Sequence, residues 1–205
     1  MTFSRRDFIR TAGIALGAVT LPSWVCDAQA ATASFIDVNK DTLADAALAT
    51  AKRLGSSYAD IRINRYRIEA VSTRERQVQN VASGQNFGFG VRVLVNGTWG
   101  FAASPLVTAE EVQRVTKEAV DIAKANSAFQ RRRIELVPTP KVVTSWKSSF
   151  EKDPFDVPVE EKTQFLLKIN EAALAVKGVS FVNSSMAWVN EQKYLATSDG
   201  SRIEQ

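Results

Sequence analysis

Hydrophobic and polar positions alternate most regularly between residues 84 and 103, where Val91, Val93 and Val95 are interleaved with Arg92 and Leu94. A period of two sends successive side chains to opposite faces, so the run predicts a strand with one face buried. Asn96-Gly97 follows, and both residues tolerate the positive φ that a type I′ turn needs at its two central positions, which makes the segment a β-hairpin. The returning strand carries Trp99 and Phe101 on one face, while Gly88, Gly90 and Gly100 leave gaps where a bulge, a bend or another backbone can approach.

Helical spacing flanks this hairpin. Leu43, Ala47, Thr50, Ala51 and Leu54 form one apolar stripe over 41–54, and Gly55 stands where the helix should end. Residues 59–68 alternate in part, with Arg62, Arg65 and Arg67 turned to solvent or a partner. Residues 69–82 read as one bent strand or two short ones turning at Arg74-Glu75-Arg76. Thr108-Ala109-Glu110-Glu111 is a capping box that opens a helix with the stripe Val112, Val115, Ala119, Ile122 and Ala123. A short β-like run covers 141–146, and a long surface loop covers 147–158. Asp156-Val157-Pro158 starts a third helix, with the stripe Phe165, Leu166, Ile169, Ala173 and Val176 and its end at Gly178. Two strands, 179–189 and 193–197, then surround the polar turn Asn190-Glu191-Gln192. Together these elements predict an α+β fold, a twisted and mostly antiparallel sheet with helices packed on one face. A chain of roughly 170 residues can bury a core of its own.

The first 30 residues read differently. Ser4-Arg5-Arg6-Asp7-Phe8-Ile9 has the twin-arginine pattern, an apolar run over 12–19 follows, and Ala28-Gln29-Ala30 puts small residues at both positions read by a signal peptidase. The run falls short of the roughly 20 apolar residues of a stable membrane span. Residues 1–30 are therefore expected to be an export signal cleaved after Ala30 and handled by the twin-arginine machinery, which delivers folded protein to the periplasm or beyond. An uncleaved amphipathic helix is the alternative. Cys26 lies inside this segment behind Ser23-Trp24-Val25, a poor lipobox, so the mature chain would hold no cysteine.

Charge and chemistry narrow the functional classes. The chain carries +4, and loss of residues 1–30 would remove three arginines and two aspartates and leave +3. Arg131-Arg132-Arg133 is the one dense basic run and has only Phe129 nearby, so it reads as a solvated connector and no nucleic-acid partner is expected. The sequence has no histidine. A zinc site built from His and Cys ligands, a Ser-His-Asp triad and a Cys-His pair are thereby all ruled out within it, and Ser184 and Ser185 have no histidine to activate them. Trp146 and Trp188 read as core or interface.

The hairpin wording G-x-G-V-R-V-L-V-N-G-x-W-G-F-A resembles the N-terminal domain of the TldD/PmbA family of zinc metallopeptidases, once called modulators of DNA gyrase. Tyr58-Ala59-Asp60-Ile61-Arg62 is similar to that domain's first strand. Tyr194-Leu195-Ala196-Thr197-Ser198-Asp199-Gly200-Ser201 is similar to the family's N-S-E-G strand-turn-strand, with Thr197 and Asp199 where Asn and Glu are more usual. The resemblance spans 35–205. It implies an enzyme that hydrolyses unfolded or small peptides with Zn²⁺-activated water, whose subunits pair as homo- or heterodimers enclosing the site. It also implies a zinc-binding H-E-x-x-x-H helix in a further domain, and chains more than twice this length. Residues 31–205 are accordingly expected to be the N-terminal domain alone, without cofactor and without hydrolytic activity of its own. A zinc-free partner subunit that binds peptide and an inactive truncated remnant are the rival readings. The site proposed on the hairpin is Phe89, Val91, Arg92 and Trp99, lining a channel for an extended polypeptide. The competing reading puts Phe89, Val91, Trp99 and Phe101 in the core.

Overall fold

The computed structural model describes residues 38–205, so the expected export signal, with Arg5, Arg6, Ala28 and Ala30, lies outside the described residues. Helix α1 (Lys40–Arg53) leads into strand β1 (Tyr58–Arg74), which turns back as β2 (Gln77–Val95) and again as β3 (Thr98–Ser104). Helix α2 (Ala109–Ser127), strand β4 (Val143–Ser145), helix α3 (Val159–Leu174), and strands β5 (Asn183–Thr197) and β6 (Arg202–Glu204) complete the order. The six strands form one sheet in the order β3-β2-β1-β5-β6-β4. Every pair is antiparallel except β4 with β6.

The turns follow the local chemistry. Asn96 and Gly97 take φ of 53° and 74°, the left-handed values the hairpin requires. The β1–β2 turn falls at Glu75, with φ of 52°, so 58–95 is one hairpin of two very long strands, bulged between Ser72 and Thr73.

The three α-helices of the described residues sit on one face. Along β1 that face is the row Ala59, Ile61, Ile63, continuing to Glu69, Val71 and Thr73. Under α1 and α2 the row is apolar and fully buried with Phe89, Val91, Val93, Tyr194 and Ala196. Helix α2 supplies Val112, Val115, Thr116, Ala119, Val120 and Ala123, while Ile122 from the expected stripe is 37% exposed. It rests so closely on β3 that a Cβ at Gly100 would stand 2.0 Å from the Ala119 carbonyl oxygen.

Under α3 the same face is polar around Val71, and of the expected apolar stripe only Leu166 is fully buried. Lys162, Leu166 and Asn170 face the sheet, whereas Phe165, Ile169 and Val176 are exposed. Lys162 pairs with Glu69 and its ammonium lies 4.4 Å above the Trp188 ring. The Asn170 amide nitrogen donates to Thr73 Oγ1 at 3.0 Å and to the Glu75 carbonyl at 2.8 Å, and its oxygen accepts from Ser184. The sheet presents Glu69, Thr73 and Ser184 there, so the helix must answer with donors and acceptors, because buried polar groups left unpaired are costly.

The expected turn Asn190-Glu191-Gln192 is instead the middle of β5. These residues pair with Arg67, Tyr66 and Arg65. Arg65 donates to Gln192 Oε1 at 3.0 Å, and the Tyr66 hydroxyl donates to Glu191. Between the α1–α2 core and α3 the strand is held by these cross-strand polar pairs.

Candidate functional site

Among the described residues, the opposite face of the sheet carries no helix. Register places Asp60 beside Arg92 and Phe101, Arg62 beside Gly90 and Ala103, Asn64 beside Gly88, and Tyr66 beside Asn86. Side chains standing on β1 therefore look across two bare glycines toward Phe101 and Ala103. The result is a groove of about 620 Å³, floored by Gly88 and Gly90 and bordered at its far side by Ser104 and Pro105. A Cβ at Gly90 would stand 2.8 Å from the Phe101 ring, and one at Gly88 would stand 2.8 Å from the Ser104 carbonyl oxygen.

Its charged lining is Asp60, Arg62 and Arg92. Asp60 is 2% exposed, and its Oδ2 accepts from Arg92 Nε at 2.9 Å and Nη2 at 2.7 Å. Burial disfavours the Arg92 charge, but the hydrogen bonds and charge of Asp60 outweigh it and raise the guanidinium pKa. Arg92 also lies over the Trp99 ring at 4.6 Å, and Trp99 meets Tyr58 edge-on with centroids 5.8 Å apart. Burial, with the Asp60 charge added, raises the Tyr58 phenol pKa. Arg62 approaches Asp60 Oδ1 only at 3.7 Å, and half of its side chain is exposed. The Asn64 Oδ1 atom is buried without a hydrogen-bond partner among the described residues.

One strand edge continues from this groove. β3 pairs with β2 from Phe89 onward and then departs at Pro105, so residues 77–86 of β2 have no strand on their outer side among the described residues. That stretch contains no charged residue, and Val78 and Val81 are exposed.

The four hairpin residues singled out above divide between the two faces. Arg92 and Trp99 stand together on the open face, while Phe89 and Val91 are buried under the helices with the core. Phe101, the competing core candidate, is 60% exposed and leans over the groove. In the sequence Arg62 reads as turned to solvent or a partner, and Asp60 and Asn64 carry no site signal. What the three share is the alternation of polar with apolar residues along β1, which marks a solvent face as readily as a binding one. Ser184 serves Asn170, and Trp146 is exposed.

Among the described residues no group of three His, Cys, Asp or Glu side chains comes together as a metal site. With no histidine in the chain, the residues present do not fit a zinc ion. No helix among the described residues is long and apolar enough to cross a membrane.

Fold and groove thus define an α+β domain with a one-sided helical layer and an open, glycine-floored sheet face. Residues 59–123 match the family model described as PmbA/TldA metallopeptidase domain 1, and residues 152–205 match that of the PmbA/TldA metallopeptidase central domain. Over these two segments the chain belongs to the PmbA/TldD family. It is 29% identical over 147 residues to a metalloprotease of Methanocaldococcus jannaschii, covering 72% of this chain and 32% of that one. A metalloprotease of Methanothermobacter thermautotrophicus is 30% identical over 147 residues, 72% of this chain and 31% of its own. The chain thus spans about a third of the length of these curated relatives. Two solved structures share the fold. A protein of Bacteroides thetaiotaomicron described as a modulator of DNA gyrase superposes with a TM-score of 0.63 at 15% identity, over 84% of this chain and 39% of that one. TldE from Thermococcus kodakarensis gives 0.59 at 14%, over 77% and 35%. The two matched segments share one sheet here, since β5 from the second pairs along β1 from the first.

Proposed function

We propose that this chain is the polypeptide-engaging part of a PmbA/TldD-type metallopeptidase, and that the open sheet face holds an extended peptide. The observation that carries this is the glycine floor. Gly88 and Gly90 remove side chains from the centre of a strand, so the exposed Phe101 ring lies down against Gly90 and the Ser104-Pro105 backbone comes close to Gly88, which shapes a trench between them and the side chains of β1. A trench of about 620 Å³ is of the size that binding sites occupy. The uncharged outer edge of β2 supports the same reading, because backbone groups along such an edge can hold an added strand with little regard to its sequence.

In this proposal zinc and the hydrolytic step belong to polypeptide other than the described residues. Delivery to the periplasm by the twin-arginine route, and pairing with a second family member, are parts of the same proposal. The relatives named as metalloproteases support the peptidase part of the proposal. A second reading, a subunit that binds peptide without metal of its own, is favoured by a sequence without histidine.

The test is fluorescence anisotropy with a fluorescein-labelled, unstructured twelve-residue peptide. Wild-type protein is expected to bind it, and Gly90→Val, which would drive a branched side chain against Phe101, is expected to weaken binding about tenfold or more. Equal binding by the two proteins would overturn the assignment of the groove.

A further inference from the structure

We infer that the groove reads the C-terminal carboxylate of its peptide, with Arg62 as the recognising residue and Arg92 as the wall behind it. This rests on the reading of the groove as a peptide site and adds to it the end of the peptide that docks there.

Charge comes first. The lining holds two arginines against one aspartate, leaving a net positive charge in the groove. Asp60 is already committed, since both short contacts of its Oδ2 come from Arg92. Arg62 is the guanidinium left over. It stands 3.7 Å from Asp60 with about half its side chain exposed, next to Gly90 on β2; the Phe101 ring lies over that glycine, and Arg62 lines the groove beside it. A planar guanidinium with spare donors takes a carboxylate in a two-pronged contact.

Shape then selects the terminus over an acidic side chain. Beyond Arg92 the same face rises into a row of large side chains: Tyr58, Leu94 and Trp99 are neighbours across the three strands. Leu94 is buried between them, and the two rings meet edge-on. None of the three lines the groove. A chain lying in the trench therefore meets a step at the Arg92–Trp99 stack and has to stop or leave the surface there, at the point where the two guanidiniums stand. Two residues along β1 from Arg62, the buried Oδ1 of Asn64 lacks a donor, which a peptide N–H upstream of the terminus would supply. Phe101 offers the adjoining apolar contact.

The measurement compares three labelled peptides of one eight-residue sequence: a free C-terminal acid, its C-terminal amide, and the amide with a glutamate in the last position. The wild-type protein is expected to bind the free acid about tenfold more tightly than the amide, in line with a charge-assisted contact. Arg62→Gln, an exposed position whose change leaves the core intact, is expected to bring the acid down to the amide. Equal binding of acid and amide by the wild type would overturn this inference while leaving the groove a peptide site. Preference for the glutamate amide over the free acid would also overturn it, since the carboxylate would then be a side chain's. Acid preference surviving in Arg62→Gln would place recognition elsewhere. If none of the three peptides bound, the groove reading itself would fail, and this inference with it.

Discussion

Asp60 organises the open face at the scale of single residues. It is the one fully buried carboxylate on that face among the described residues, and Arg92 meets it twice, holding the guanidinium over the Trp99 ring. Asp60→Ala would leave a partly desolvated arginine without its acceptor, and a loss of about 2–3 kcal/mol is expected in urea unfolding. A change below about 0.5 kcal/mol would mean the pair is dispensable. Glu111 behaves differently because it is only partly buried and its partner Arg114 is exposed. Arg114 donates to both of its oxygens at 2.8 Å, and this hydrogen bonding, with a smaller share from Ser104, pulls its carboxyl down to about 2. A depressed folded value means the group adds stability above the ordinary carboxylate pKa and loses that contribution as pH falls toward 2. The gain is small for a solvated pair, so the check is spectroscopic. The Glu111 side-chain carbon signal should titrate near 2 and return to the ordinary carboxylate range in Arg114→Gln. Arg92 stood out in the sequence as a charge on an otherwise apolar hairpin. Asp60 did not, because its partner lies 32 residues away and only strand register brings the two together.

Elements show where periodicity succeeds and where it gives out. Helices α1 and α2 and the β2–β3 hairpin rest on apolar faces packed against one another, and their stripes, cap and turn were legible for that reason. Thr108 caps α2 as expected, accepting from the Glu111 amide at 3.3 Å. The stripe of α3 misled because the helix packs through Lys162 and Asn170 on a polar stretch of sheet, leaving Phe165 and Ile169 outside. The middle of β5 read as a turn because hydrophilic residues there are satisfied by cross-strand partners that lie far off in sequence. Close packing of α2 on β3 gives a sharp contrast between two glycines. Gly100→Ala would force a methyl to 2.0 Å from the Ala119 carbonyl and should cost about 3 kcal/mol or more. Gly84→Ala meets nothing within 4 Å and should be neutral or slightly stabilising, by about 0.5 kcal/mol. Thermal unfolding of both variants tests this, and equal melting temperatures would contradict the close α2–β3 contact.

Across the whole described unit, the sheet is covered on one side and open on the other. The covered side builds the core, and the open side concentrates Arg62, Asn64, Arg92 and Phe101 around Gly88 and Gly90. Alternation along a strand says that two faces exist, but not which one meets a ligand. That is why Phe89 and Val91 were grouped with Arg92 and Trp99 when read from the sequence, though they stand on the other side. The direct test of the open face is a ¹⁵N–¹H correlation spectrum of the labelled protein during titration with an unstructured peptide. The expected result is shifts confined to Arg62, Asn64, Gly88, Gly90, Phe101 and their neighbours along the β2 edge. Shifts confined to the exposed face of α3, or none at saturating peptide, would contradict the assignment of the groove as the place where polypeptide is held.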